Sequence, residues 1–160
     1  MDADPEKISL DARVRRHVYD QVIGEGLPPT IAETARALAR TTDEVKLSFR
    51  RLADAHILVL QKEGEEILMA APFSAVPTPF PVTVGERRYY ANCIWDALGI
   101  PSMLKQDAVI DASCGCCGTA MRLEVGGGGG GGGSLLAQDM GGRAHFAVPA
   151  ARWWDDIVFS

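Results

Sequence analysis

Four cysteines and one carboxyl carry the chemistry this sequence could perform. In YYANCIWDALG, Cys93 and Asp96 stand three residues apart, which places both side chains on one face of a helix. A neighbouring carboxylate raises a thiol's pKa, whereas nucleophilic cysteines are activated by a histidine or another cation. His17, His56 and His145 stand in no evident relation to Cys93, so a cysteine-hydrolase arrangement is poorly supported. The pair makes better sense toward a soft metal centre. A thiolate would ligate the metal, and a carboxyl beside it would deliver a proton to the group that leaves, which is protonolysis of a carbon–metal bond.

The other three cysteines, Cys114, Cys116 and Cys117, crowd into SCGCCG. Structural zinc prefers two separated ligand pairs, and this is a single cluster without a nearby histidine. Copper or zinc are ions the cluster could take, and two of its sulfurs would serve linear Cu(I) or Hg(II). A tight turn carrying oxidisable thiols is the plainer alternative. For Cys93 that alternative is a small buried hydrophobe, with Asp96 merely pairing with Arg87 or Arg88. Trp153 and Trp154 in RWWDDIVF read as core or interface anchors.

These residues need elements to position them, and the 160-residue chain, 47% hydrophobic and 23% charged, is long enough for one core or two small cooperating ones. No apolar run approaches the roughly 20 residues that cross a bilayer, and the acidic, polar N-terminus is unlike a secretory signal. The expectation is a cytoplasmic protein with no membrane partner, where thiols stay reduced and serve metal binding or catalysis more than disulfides. A net charge of −5 argues against nucleic acid as a partner.

The first part, residues 1–80, reads as a three-helix, winged-helix-like unit. Ser9 caps a helix with Leu10, Val14, Val18 and Val22 on one face, ending at Gly24 or Gly26. Thr30 and Glu33 have capping-box spacing, and a third helix capped at Thr42 buries Val45, Phe49 and Leu52. ILVLQKEGEEILMA then reads as a hairpin turning at Gly64. Lys46, Arg50 and Arg51 lie on the candidate recognition helix among many acidic residues. Pro77, Pro79 and Pro81 mark an extended connection.

A second unit, residues 81–160, should hold a helix over roughly Tyr89 to Leu98, stopped by Gly99 and Pro101. QDAVIDASC and TAMRLEV read as strands joined by the cysteine turn. RAHFAVPAARWWDDIVFS adds a strand, a turn at Pro149 and an amphipathic stretch. The run Gly126 to Gly133 has no side chains from which to build a core, and reads as an artificial loop replacement or a placeholder.

The stretch from Arg87 to Val125, RRYYANCIWDALGIPSMLKQDAVIDASCGCCGTAMRLEV, resembles the core of the bacterial organomercurial (alkylmercury) lyases. There an aromatic-rich run leads into a Cys-x-x-Asp helix, a Pro-containing turn, a strand, a Cys turn ending in Gly, and another strand. The resemblance implies an α+β fold, with the winged-helix-like unit followed by a small mixed α/β catalytic domain of the alkylmercury lyase type. It implies conversion of R–Hg⁺ and a proton to R–H and Hg²⁺, with Cys93 as the first mercury-binding thiolate and Asp96 as the proton relay. Cys114 matches a cysteine kept for structure. A small organomercurial would be the substrate, Hg(II) the product ligand and cytosolic thiols the acceptors, with no cofactor required; a homodimer is compatible with the sequence. The family's second catalytic cysteine follows the third strand, a position that falls at or just beyond Ser160, and no cysteine follows Cys117. In a chain ending there, Cys116 or Cys117 would have to substitute. The rival is a winged-helix metal or thiol sensor with the cysteine cluster as its receptor.

Overall fold

In the computed structural model of the chain, residues 9–114, 116–127, 134–135, 144, 146 and 148–157 are described. His145, Gly128 to Gly133, Ser160 and most of the strand expected after Arg143 lie outside the described residues. Three capped helices open the fold: α1 (Leu10–Glu25), α2 (Ile31–Leu38) and α3 (Thr42–Asp54). Ser9 accepts from the Ala12 amide, and Gly26, at φ 86°, ends α1 in the left-handed conformation that glycine adopts without strain. Both α2 and α3 begin with a full capping box, Thr30 with Glu33 and Thr41 with Glu44. The cap of α3 is therefore Thr41, one residue before the expected Thr42, because only Thr41 stands three residues ahead of a glutamate.

Val14, Val18, Val45, Phe49 and Leu52 close one core with Ile31, Leu58 and Ile67. Asp11 ties α1 to α3, accepting from Ser48 Oγ at 2.6 Å and from Arg51 Nε and Nη2 at 2.8 and 2.7 Å. After α3 come β1 (Val59–Leu60), β2 (Ile67–Ala70) and β3 (Phe73–Ser74), an antiparallel sheet in that order. Gly64, at φ 88°, turns β1 into β2.

The second sheet begins earlier than the prolines suggest. β4 (Pro81–Val84) and β5 (Arg87–Tyr90) form an antiparallel hairpin, where an extended connection and the start of a helix were expected. Pro81 sits at the first position of β4, which a proline tolerates, and aromatic Tyr89 and Tyr90 suit a pleated surface. The next helix, α4, therefore runs Ile94–Leu104 and contains the Gly99 and Pro101 expected to end it. Pro101 is buried, and Lys105 closes the helix in the left-handed region at φ 54°. Helix packing has overridden two local stop signals. β6 (Ala108–Ser113), β7 (Ala120–Gly126) and β8 (Ser134–Leu135) complete a five-stranded antiparallel sheet in the order β5-β4-β6-β7-β8.

Tyr89, Val82 and Ile110 lie in one cross-strand row, are all buried, and share a core with Ala97 and Ile100 of α4 and Val125 of β7. Val22 of α1 and Phe73 of β3 belong to this same core, so the helical unit packs into the sheet unit. The glycine run starts inside β7, and the second of its residues meets a neighbour closely: a Cβ on Gly127 would stand 2.2 Å from the Gln106 backbone nitrogen. A 3-10 helix, Ala150–Asp155, follows Pro149. Trp154 stacks on His56 with ring centroids 3.9 Å apart, and Trp153 packs against Phe146. Trp153 is thus partly buried in packing, whereas Trp154 stays exposed against His56.

Because β4 is antiparallel to both β5 and β6, β5 and β6 run the same way, joined by α4 as a split β-α-β unit. Tyr90 pairs with Pro81, and one step beyond the Val82–Ile110 pair brings Asp111 to that level. Cys93 and Cys114 each lie three residues further on. The topology thus delivers both to the same end of the sheet.

Candidate thiol–carboxyl site

Cys93 is the N-cap of α4, with extended backbone at φ −148°, and Asp96 is the third residue of the helix. The expected helix had placed both within it. The cap-to-third-residue relation achieves the same meeting of side chains, because it is the geometry by which a capping box closes. The sulfur makes no capping hydrogen bond. Burial pushes the Cys93 thiol upward; the Asp96 and Trp95 amides at the helix start pull it down, and the Asp96 carboxylate pushes it up again. Asp96 is also held above the usual carboxylate range, by burial, with the Asn92 hydrogen bond and the neighbouring Cys93 thiol opposing the rise. The two half-buried groups lie close enough at the first turn of α4 to perturb each other's protonation.

Two further residues shape this site, and neither stood out in the sequence. Asn92 Nδ2 donates to Asp96 Oδ2 at 3.0 Å, while its own Oδ1 is buried without a hydrogen-bond partner. A polar residue four positions before Asp96 was the available signal. Tyr19, from α1, donates its hydroxyl to the Ala71 carbonyl at 2.9 Å. Its phenol is pushed up by burial, opposed by Arg15 and reinforced by the charge of Asp96, so a helix some 75 residues upstream reaches the field of the site. Tyr19 also lines an open cleft of about 520 Å³ with Arg15, Arg16 and Met103. Cys93 and Asp96 are not among the walls of that cleft. Arg87 donates to the Ile23 carbonyl at 2.7 Å, and Arg88 lies over the Tyr90 ring; Asp96 takes Asn92 as its partner in place of either arginine.

The other thiols are gathered on the turn between β6 and β7. The Cys114 amide donates to the Thr119 carbonyl and the Gly118 amide to the Cys114 carbonyl, both at 2.8 Å, with Gly118 at φ 70°. Cys114 Sγ lies 3.1 Å from Cys116 Sγ, and Cys117 Sγ lies 3.1 Å from Thr119 Oγ1. All three sulfurs lie within 4.8 Å of one another. Hydrogen bonds from the Cys116 thiol, and then from the Cys116 and Cys117 amides, pull Cys114 down to about 7, while Cys116 is pushed up by the same partner and by Cys117. Cys116 and Cys117 are exposed.

On the candidate recognition helix α3, Arg50 pairs with Glu65 and Arg51 with Asp11. Among the described residues no helix is long and apolar enough to cross a membrane.

Fold and site together define an α+β protein whose split β-α-β unit carries a thiol and a carboxyl at the start of its helix. The chain belongs to the alkylmercury lyase family, whose model matches residues 73–159, more than half of its length. The match begins at β3 and takes in the whole second sheet and both thiol groups. An alkylmercury lyase of Streptomyces lividans is 28% identical over 105 residues, 66% of this chain and 46% of the relative. The alkylmercury lyase of Bacillus cereus is 27% identical over the same length, with the same shares. The chain spans about half the length of these curated relatives. Among solved structures, the mercury-bound form of MerB2 superposes with a TM-score of 0.57 at 20% identity, covering 84% of this chain and 64% of that one; the likeness is one of fold.

Proposed function

We propose that this protein cleaves carbon–mercury bonds by protonolysis at Cys93 and Asp96. The observation that carries the reading is the pairing of a half-buried thiol at the N-cap of α4 with a half-buried carboxyl in its first turn, in a chain of the alkylmercury lyase family. The Cys93 thiol, pushed above its ordinary value by burial, keeps its proton at neutral pH. An organomercurial cation, R–Hg⁺, bonds to the Cys93 sulfur as the thiol proton passes to Asp96. Thiolate ligation pushes electron density onto the carbon, and Asp96 then protonates it, breaking the C–Hg bond. The products are R–H and a mercuric ion on Cys93, with Asp96 again a carboxylate. Small cytosolic thiols supply the second sulfur and finally carry the ion away. No cofactor takes part.

The partial desolvation that raises Asp96 serves this step, since a carboxyl of ordinary acidity would hold too little of the proton near neutrality to act as a general acid. Asn92 fixes the carboxyl through Oδ2. Incubation with phenylmercuric acetate and excess thiol is expected to release benzene, measured by gas chromatography. Asp96→Ala should lower that release by about 10²- to 10⁴-fold, the range for losing a positioned acid, while mercury still binds Cys93. Unchanged turnover in the variant would remove Asp96 from the reaction.

A further inference from the structure

We propose that Cys114, Cys116 and Cys117 form a three-thiolate site for one mercuric ion, a second station for the product at the same end of the sheet as Cys93. This rests on the lyase reading for the identity of the ion, but the site itself rests on its own geometry. Three sulfurs around one ion, at a metal–thiolate bond of about 2.3 Å, stand about 4 Å apart. The sulfurs here come close to that value, 3.1 Å between Cys114 and Cys116 and all three within 4.8 Å of one another. Small rotations of exposed side chains therefore suffice to close the site.

Two backbone hydrogen bonds and the left-handed Gly118 close the turn that presents them, and the paired residues Ser113 and Ala120 clamp its base. Each thiol that ligates gives its proton to solvent, so binding needs no oxidant or reductant. No carboxylate or histidine joins the cluster among the described residues, which leaves zinc one ligand short of its usual four. Soft mercuric ion is satisfied by two or three sulfurs. The two stations stand on different elements, the N-cap of α4 and the turn between β6 and β7, and a small thiol carries the ion between them.

The test uses the full chain, reduced and kept anaerobic, and titrates it with mercuric chloride against a competing monothiol. In Cys93→Ser protein, one ion should bind per chain with three sulfur neighbours by X-ray absorption, in the presence of a competing monothiol. Adding Cys116→Ser and Cys117→Ser should abolish that ion while circular dichroism shows the fold retained. An equal mercury count in the two proteins, or only two sulfurs around the ion in the Cys93→Ser protein, overturns the proposal. So does tight four-coordinate zinc binding at the cluster. Because no cleavage is measured, a cluster that binds in a protein releasing no benzene counts against the lyase reading alone. A protein that releases benzene while its cluster binds nothing counts against this proposal alone.

Discussion

The two thiol sites differ in how the fold treats the same functional group. Cys93 is half-buried at a helix start beside a carboxylate, and burial drives its thiol upward. Cys114 stands on a hairpin turn among thiol and amide donors, and these pull it down to about 7. A buried thiol keeps its proton until a base beside it removes it, so its chemistry is tied to Asp96. The thiols on the turn are ready ligands that need no partner base. One site is arranged to move a proton and the other to hold a metal.

The largest expected effect separates the two by thiolate content. At pH 7 Cys114 is about half ionised, whereas a thiol whose pKa lies above 9 is ionised to about one part in a hundred or less. Iodoacetamide labelling followed by mass spectrometry should therefore modify Cys114 at least about 50-fold faster than Cys93. The Cys114 rate should climb through a midpoint near pH 7 and the Cys93 rate only in alkaline solution. Equal rates at pH 7 would erase the contrast.

A second contrast lies in what each site stands on. Ile100 of α4 is fully buried in the core beneath the second sheet. Replacing it with Ala should cost about 2–5 kcal/mol, read as a lowered urea midpoint. Its loss loosens the helix whose first turn holds Cys93 and Asp96, so cleavage should fall. The cysteine turn hangs on β6 and β7, the most extensively paired strands, and its mercury binding should persist wherever the protein remains folded. Loss of both together would mean that the sites are not separately supported.

A third, smaller effect concerns Asn92. Its amide hydrogen bond favours the charged form of Asp96 and so lowers the carboxyl's pKa against the upward push of burial. Asn92→Ala should raise the Asp96 titration further, measured by carboxyl carbon NMR, while the Cys114 midpoint stays in place. In single-turnover cleavage, activity should fall in alkaline solution as the Cys93–Asp96 pair loses its proton, and the variant should move the limb governed by Asp96 upward. A downward movement would show that Asn92 does not act through this hydrogen bond.

Much of this was legible in the sequence, for reasons that can be named. The N-terminal helices announce themselves because Ser9, Thr30 and Glu33 are local caps and the valines recur at helical spacing. Cys93 and Asp96 stood out because their spacing is local too. The β4–β5 hairpin was not legible: three prolines imitate a linker, and Tyr89 and Tyr90 become strand residues only once Pro81 and Val82 lie opposite them. Gly99 and Pro101 signal a helix end locally, yet the buried contacts of Ala97, Ile100 and Pro101 hold α4 through them. Asn92 reaches Asp96 from four residues before it, outside α4, and Tyr19, which feels the charge of Asp96, arrives from a distant helix that no spacing connects to it. Local chemistry was readable, whereas pairing and tertiary reach were not.

The smallest effect tests the turn by itself. Gly118 holds φ 70°, and a Cβ there would meet nothing within 4 Å, so the cost of Gly118→Ala is conformational and not steric crowding. A left-handed residue with a side chain is disfavoured by about 1 kcal/mol. That strain falls on the hydrogen bond from the Gly118 amide to the Cys114 carbonyl, which holds the three sulfurs in register. Where metal binding requires this closed turn, the same 1 kcal/mol weakens mercury affinity at the cluster by about fivefold, measured by competition with a monothiol. Cleavage at Cys93 should be unchanged, because Gly118 contributes no group to the thiol–carboxyl pair. An affinity that does not move would mean that the cluster gathers its thiols around the metal from a loose turn. Its contrast with the pre-positioned pair at Cys93 would then be one of rigidity as well as of protonation.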